Sequence, residues 1–179
     1  VDRHFPEVDV QVLLLPEGGE GTLVNGLVNN SVIHFRREPS SKTEMVTQVL
    51  LGRPVRILKE AHGKYLAQAP DGYLGWVNVP EVQAVSREEL QSYKEAEKIL
   101  FTAQYGFAYS EADEGSLPVA DLVIGCLLPV VSTTADFYQV KYPDERVAWV
   151  KREEARKAED ILTQPVTKEG LVKTAMAFH

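Results

Sequence analysis

A single cysteine, Cys126, stands among 179 residues, so no disulfide closes within the chain. Basic residues are in the minority: 19 Lys and Arg against 26 Asp and Glu leave a formal charge of −7. A phosphate backbone is repelled by that balance, and no basic stripe overrides it, which argues against nucleic acid as a partner. Long apolar runs are also missing. The longest pure-leucine run is Leu13 to Leu15, far short of the ~20 residues of a membrane-spanning helix. His4, His34, His62 and His179 lack metal-ligand spacing, and no Asp or Glu completes a site with them, so no metal is expected. Nothing calls for a cofactor. EGGEGT, Glu17 to Thr22, lacks the Lys-Ser/Thr of a phosphate cradle and reads as a loop. No Ser/His/Asp grouping emerges. Cys126 lies in the apolar run LVIGCLLPVV and reads as a buried core thiol rather than a nucleophile. Neither an initiator Met nor a signal peptide opens the chain, which suggests a processed or engineered N-terminus.

What is present is a repeat. Apolar residues make up 44% and charged residues 25%, a globular composition. GKYLAQAPDGYLGWV, Gly63 to Val77, is followed by DFYQVKYPDERVAWV, Asp136 to Val150, and Trp149 lies 73 residues after Trp76. The same offset takes Gly52 to Gly125, Tyr65 to Tyr138, Pro70 to Pro143, Asp71 to Asp144 and Val77 to Val150, with no gap. Two copies of one small unit are the simplest account.

The unit reads as short strands. Val49 to Leu51 is an apolar strand that ends at Gly52. PVRIL, Pro54 to Leu58, alternates Val55 and Ile57 against Arg56, with Leu58 out of step. EAHGK is a polar turn, and KYLAQA alternates again. Pro70-Asp71-Gly72 is a turn, because Pro presets φ and Gly accepts a positive one. YLGWV, Tyr73 to Val77, is the next strand. Short strands with such punctuation mean a small antiparallel barrel or sandwich. At roughly 55–60 residues the unit is marginal alone, so the copies are expected to pack together.

Between the copies, SREELQSYKEAEK starts with Ser86 as N-cap, and Glu89 completes a capping box. It reads as a short linking helix. KREEARKAEDIL, Lys151 to Leu162, is helix-prone and strongly charged; TQP around Pro165 is a linker. Thr167 then caps a final helix whose Leu171, Ala175 and Phe178 recur at helical spacing. The helix reaches His179 without a stop signal, which leaves two expectations: docking on a barrel, or the opening of a further domain that is absent. VDVQVLLLP, Val8 to Pro16, reads as a strand that adds to the first barrel or pairs with its neighbour.

The motifs YL…PDGY.GWV look like bacterial SH3-like domains. The order SVIHFRREPS, EMVTQVLLG, PDGYLGWV, YGFAYSE, LVKTAMAFH, spanning about Leu27 to His179, resembles the N-terminal half of the γ-D-glutamyl-L-diamino acid endopeptidases (dipeptidyl-peptidase VI), cysteine peptidases of the NlpC type. The resemblance implies a mostly β fold: two small SH3-like antiparallel barrels joined by a short helix, with a C-terminal helix leading toward an absent catalytic domain. The corresponding boundaries are an N-terminal strand segment at 1–26, barrels at 27–85 and 99–152, a linking helix at 86–98, and a helical linker with the start of the catalytic domain at 153–179. The family's Asp-Cys-Ser-Gly motif is missing, and its catalytic Cys and His would lie beyond His179. No residue here is therefore expected to be catalytic, and Cys126, aligned with Arg53 of the first copy, cannot be that nucleophile.

In that family the first barrel walls one end of the active site and reads the free N-terminal amine of the peptide substrate. The matching positions are Glu38, in RREPS, and Tyr73, in PDGYLGWV. A carboxylate takes a charge-assisted hydrogen bond from an ammonium group, and a phenol adds a second. The resemblance thus implies a gate for L-Ala-γ-D-Glu-diamino acid peptides from peptidoglycan stems, in the bacterial envelope or periplasm or in cytoplasmic peptide recycling. Plainer alternatives stand beside it. Glu38 pairs with Arg36 or Arg37 on the surface, Tyr73 is an ordinary strand aromatic, and the chain is a free-standing, non-catalytic cell-wall or protein-binding module. Trp76 and Trp149 are equivalent in the two copies, which favours shared core packing. Tyr105, Phe107 and Tyr109 at i, i+2, i+4 share one face of a strand; that row is barrel core or, as favoured here, the interface with the catalytic domain.

Overall fold

The computed structural model describes residues 12–16 and 25–176. Among these residues, fourteen strands form two seven-stranded antiparallel sheets. The first holds β1 (Asn25–Val28), β2 (Val32–Arg36), β3 (Met45–Leu50), β4 (Pro54–Ala61), β5 (Lys64–Gln68), β6 (Leu74–Asn78) and β7 (Val82–Val85), in the order β3-β2-β6-β5-β4-β1-β7. Helix α1 (Arg87–Glu95) follows. The second sheet holds β8 (Lys98–Phe101), β9 (Tyr105–Tyr109), β10 (Pro118–Val123), β11 (Leu127–Thr133), β12 (Phe137–Lys141), β13 (Val147–Lys151) and β14 (Ala155–Lys157), in the order β10-β9-β13-β12-β11-β8-β14. Helices α2 (Ala158–Leu162) and α3 (Lys168–Met176) close the chain.

The two orders are the same order. Each strand of the second sheet begins 73 residues after its counterpart in the first. Even the irregularities repeat: β4 bulges between Ile57 and Lys59, and β11 between Val130 and Ser132. The bulge explains Leu58, which breaks the alternation of β4 yet is buried. The turns repeat as well. Gly52 and Gly125 sit at φ +77° and +93°, and the Pro-Asp turns place Gly72 at φ +91° and Glu145 at φ +72°.

Each sheet wraps its own apolar cluster, Ile33, Phe35, Ile57 and Val77 among the members of one and Ile99, Phe101, Leu122 and Val150 of the other. The architecture is mostly β, as the turn chemistry indicated. Ser86 caps α1 by accepting from the Glu89 amide at 3.1 Å, while the Glu89 carboxylate takes the Ser86 amide at 2.7 Å. That hydrogen bonding holds the Glu89 carboxyl below its ordinary range.

Three readings change. KREEARKAEDIL is not one helix: a 3-10 turn at Arg152–Glu154 leads into β14, and only Ala158–Leu162 is helical. Residues Ala155 to Lys157 pair with Phe101 to Ile99 of β8, and that ladder overrides local helix propensity. Val12 to Leu15 are exposed and carry no strand; Val8 to Gln11 and EGGEGT lie outside the described residues. Trp76 and Trp149 are half-buried, on the outer face of their strands, because Gly75 and Val77, and Ala148 and Val150, take the inward positions. Cys126 is buried within the second core; its thiol donates to the Ser31 carbonyl at 3.5 Å, and burial pushes its pKa up.

The barrels are joined by more than α1. Leu51, from the turn after β3, is fully buried inside the second barrel's cluster. The Leu127 amide donates to Leu51 O at 3.1 Å. The Asn29 side-chain amide donates to Asp144 Oδ2 at 2.8 Å, and Ser31 Oγ to Asp121 Oδ2 at 2.7 Å. Among the described residues, no helix is long and apolar enough to cross a membrane.

Candidate functional site

Antiparallel pairing sets Arg36 of β2 opposite Trp76 of β6 and Met45 of β3. Running out from that point, β2 continues to Glu38 while β6 runs back to Leu74 and Tyr73. The register therefore carries Glu38 and Tyr73 to the same end of one strand pair.

The loop from Arg37 to Glu44 is pinned by its own hydrogen bonds. The Arg37 amide donates to Glu44 O at 3.0 Å, and Thr43 Oγ1 donates to Ser40 O at 3.0 Å. Arg36 Nη1 donates to Thr43 O at 3.0 Å, and Arg37 pairs with Glu44 at 3.5 Å. Both arginines are thus engaged elsewhere, and neither neutralises Glu38. Its exposed carboxylate has no ion-pair partner among the described residues.

The facing turn is equally fixed. Asp71 Oδ1 accepts from the Tyr73 amide at 3.1 Å, Asp71 Oδ2 accepts from Thr47 Oγ1 at 2.8 Å, and the Ala69 amide donates to Tyr73 O at 2.9 Å. Tyr73 is 58% exposed, and Leu74 beside it is 51% exposed. Met45 is exposed too. The result is an open surface site: a free carboxylate, a free phenol and a small apolar shelf on rigid turns. Such a group suits an ammonium end with a short apolar side chain. Sequence reasoning did not single out Met45, Leu74 or the Thr47–Asp71 brace; the exposed apolar pair beside a Pro-Asp-Gly turn was the available signal.

Tyr105, Phe107 and Tyr109 do share one face. Gly106 and Ala108 between them point into the core, so the row faces outward and is not barrel core. The rings of Tyr105 and Phe107 meet edge-to-face, with centroids 5.3 Å apart. Tyr109 lies across from Trp149, and Phe107 across from Asp121. The corresponding first-barrel positions are Val32, His34 and Arg36, so this fold does not require the aromatics. His34 there contacts Gln48 at 3.1 Å and has no metal-binding neighbours among the described residues.

Residues 35–80 match the family described as the bacterial dipeptidyl-peptidase SH3 domain. The match runs from the end of β2 through β6 and includes both Glu38 and Tyr73. Among solved structures, an NlpC/P60 family protein from Bacillus cereus ATCC 10987 shares 16% identity at a TM-score of 0.63, covering 79% of this chain and 59% of that one. An NlpC/P60 endopeptidase from Photobacterium damselae subsp. piscicida shares 14% identity at a TM-score of 0.55, covering 80% of this chain and 35% of that one. At these identities the likeness is one of fold. The chain spans about three-fifths and one-third of the length of these two relatives. Curated proteins give no match.

Proposed function

We propose that this chain is the non-catalytic, substrate-gating part of a bacterial cell-wall peptide cysteine endopeptidase of the NlpC type. The first barrel receives the free N-terminal amine of L-Ala-γ-D-Glu-diamino acid peptides, with Glu38 as the charged acceptor and Tyr73 as wall and second hydrogen-bond partner. One observation carries this reading: Glu38, exposed and without an ion-pair partner among the described residues, lies at the same end of the sheet as Tyr73, inside the segment that matches a dipeptidyl-peptidase SH3 domain. The fold shared with NlpC/P60 proteins supports a catalytic domain as partner. The outward row Tyr105, Phe107 and Tyr109 is the proposed face toward that domain, and the exposed helix α3 the proposed route to it.

An ammonium group in this site gains a charge-assisted bond, and an acetylated end does not. The gate therefore selects released peptides over glycan-linked stems, in the bacterial envelope or in peptide recycling. Calorimetric titration of this chain with the L-Ala-γ-D-Glu-diamino acid peptide tests it. Binding that Glu38→Gln weakens by about tenfold, and that N-acetylation of the peptide abolishes, supports the gate. Binding that ignores both changes leaves a free-standing cell-wall module as the better reading.

A further inference from the structure

Both barrels, α1 and α2 meet around a cavity of about 570 Å³. Its floor is the seam: Tyr93, on α1, donates its hydroxyl to Leu127 O at 3.1 Å, beside Gly52. Leu90 and Leu162 give it apolar walls, and Arg53, Lys94 and Lys98 bring positive charge.

Those three cations are the unusual feature in a chain with seven more acidic than basic residues. Arg53 is half-buried, and its guanidinium has no hydrogen bond or ion pair among the described residues. Among the described residues, Lys98 Nζ donates only to main-chain carbonyls, Lys94 O at 3.0 Å and Ala96 O at 2.7 Å, and lies 5.1 Å from the Tyr93 ring centroid. Lys94 has no carboxylate partner among the described residues. The acidic residues around the rim are otherwise placed: Glu97 holds Lys157 at 2.6 Å, Glu95 accepts from Gln91, and Glu159 lies exposed in the first turn of α2.

The surroundings sharpen the contrast. Burial pushes the Lys98 amine below its ordinary range. Burial raises the Tyr93 phenol, and the Arg53 charge pulls it the other way, so the guanidinium lies within electrostatic reach of the hydroxyl. A half-buried guanidinium has lost part of its hydration, and no protein group replaces it among the described residues. Folding does not impose that cost, because the second barrel carries Cys126 at the position equivalent to Arg53, after a turn of the same geometry.

We propose that this cavity binds a carboxylate, the C-terminal carboxylate of a peptide, held by the fork of Arg53 with Lys98 as second charge. The planar guanidinium matches a carboxylate through two parallel hydrogen bonds. Leu90 and Leu162 receive the side chain of the terminal residue. A dianionic phosphate fits less well, because Glu95 and Glu159 sit at the rim. The site is separate from the proposed amine gate, since it uses the opposite charge and a different face.

The test uses the whole chain, with N-acetyl-alanyl-leucine, its C-terminal amide and inorganic phosphate as probes, followed by NMR titration. The acetyl group blocks the amine, so the Glu38 site contributes nothing to the result. The acid is expected to bind at least about tenfold more tightly than the amide, with Arg53→Gln removing about tenfold. Lys98→Met, which leaves the turn after β3 intact, is expected to weaken the acid in the same direction should Arg53→Gln fail to fold. Equal binding of acid and amide, no binding of either, or phosphate binding as tightly as the acid overturns the proposal.

Discussion

Leu51 O accepts the Leu127 amide at 3.1 Å, so the main chain of the first barrel is bonded to that of the second. The Leu51 side chain completes the second barrel's core. The turn that delivers it has no room to spare. A Cβ added at Gly52 would lie 1.8 Å from Leu127 O and 2.4 Å from the Tyr93 hydroxyl, at a φ of +77°. Gly52→Ala is therefore expected to destabilise the chain by about 3 kcal/mol or more, combining left-handed strain with an overpacked seam. Denaturant unfolding measures it. A loss of less than about 1 kcal/mol, close to that of an ordinary surface substitution, would mean that the seam gives way freely.

The equivalent Pro-Asp turns offer a cleaner comparison. Gly72 and Glu145 occupy the same left-handed position, and a Cβ at Gly72 meets nothing within 4 Å. Backbone conformation is the main difference between the two residues there. Glu145→Gly is expected to stabilise by about 0.5–1 kcal/mol, and Gly72→Ala to destabilise by about 1 kcal/mol. The Lys141–Glu145 pair that the first change removes is solvent-exposed and offsets little. Opposite signs in the melting temperatures of the two variants are the expected result.

The repeat was legible because its turns are chemically explicit. Pro, Asp and Gly recur in one register, and the offset they define proves to align all seven strand pairs. The linking helix was legible from Ser86 and Glu89 for the same local reason. Local signals failed where distant chain decides. Ala155 to Lys157 become a strand only because β8 offers an edge. The seam partners Asn29 and Asp144 are 115 residues apart, and Ser31 and Asp121 are 90 apart. Nothing in sequence pairs them. For Glu38, resemblance supplied the position, but its freedom from salt bridges depends on Thr43 and Glu44 engaging the adjacent arginines. The orientation of Trp76 could have been read from strand period, since Val77 claims the inward site.

The aromatic row predicts a silent mutation. Tyr105 is 59% exposed and Phe107 36% exposed, at positions where the first barrel carries Val32 and His34. Tyr105→Ser with Phe107→Ser is expected to change the stability of this chain by no more than about 0.5 kcal/mol at each site. In a longer protein that carries the proposed catalytic partner, the same pair is expected to lower stability or turnover. A large loss in the isolated chain would make the row structural.

Asp144 sets an acid limit on the seam. Burial alone would raise its pKa, but hydrogen bonds from Asn29 and Arg146 outweigh it and hold the carboxyl below its ordinary range. A carboxyl depressed by folding stabilises the native state above its unfolded pKa and loses that contribution as pH falls through the folded value. The stability tied to Asp144 is thus intact at neutral pH and fades below the ordinary carboxylate range. Asn29→Ala removes the inter-barrel donor while Arg146 remains, at 2.6 Å. It is expected to cost about 1–3 kcal/mol at neutral pH and less at low pH, where the wild type has already lost part of the bond. Asp144→Asn is expected to flatten the same acid limb. Unfolding midpoints measured from neutral pH down to the carboxylate range check both, and an Asn29→Ala cost that does not shrink with acid would remove Asp144 from the seam's pH response.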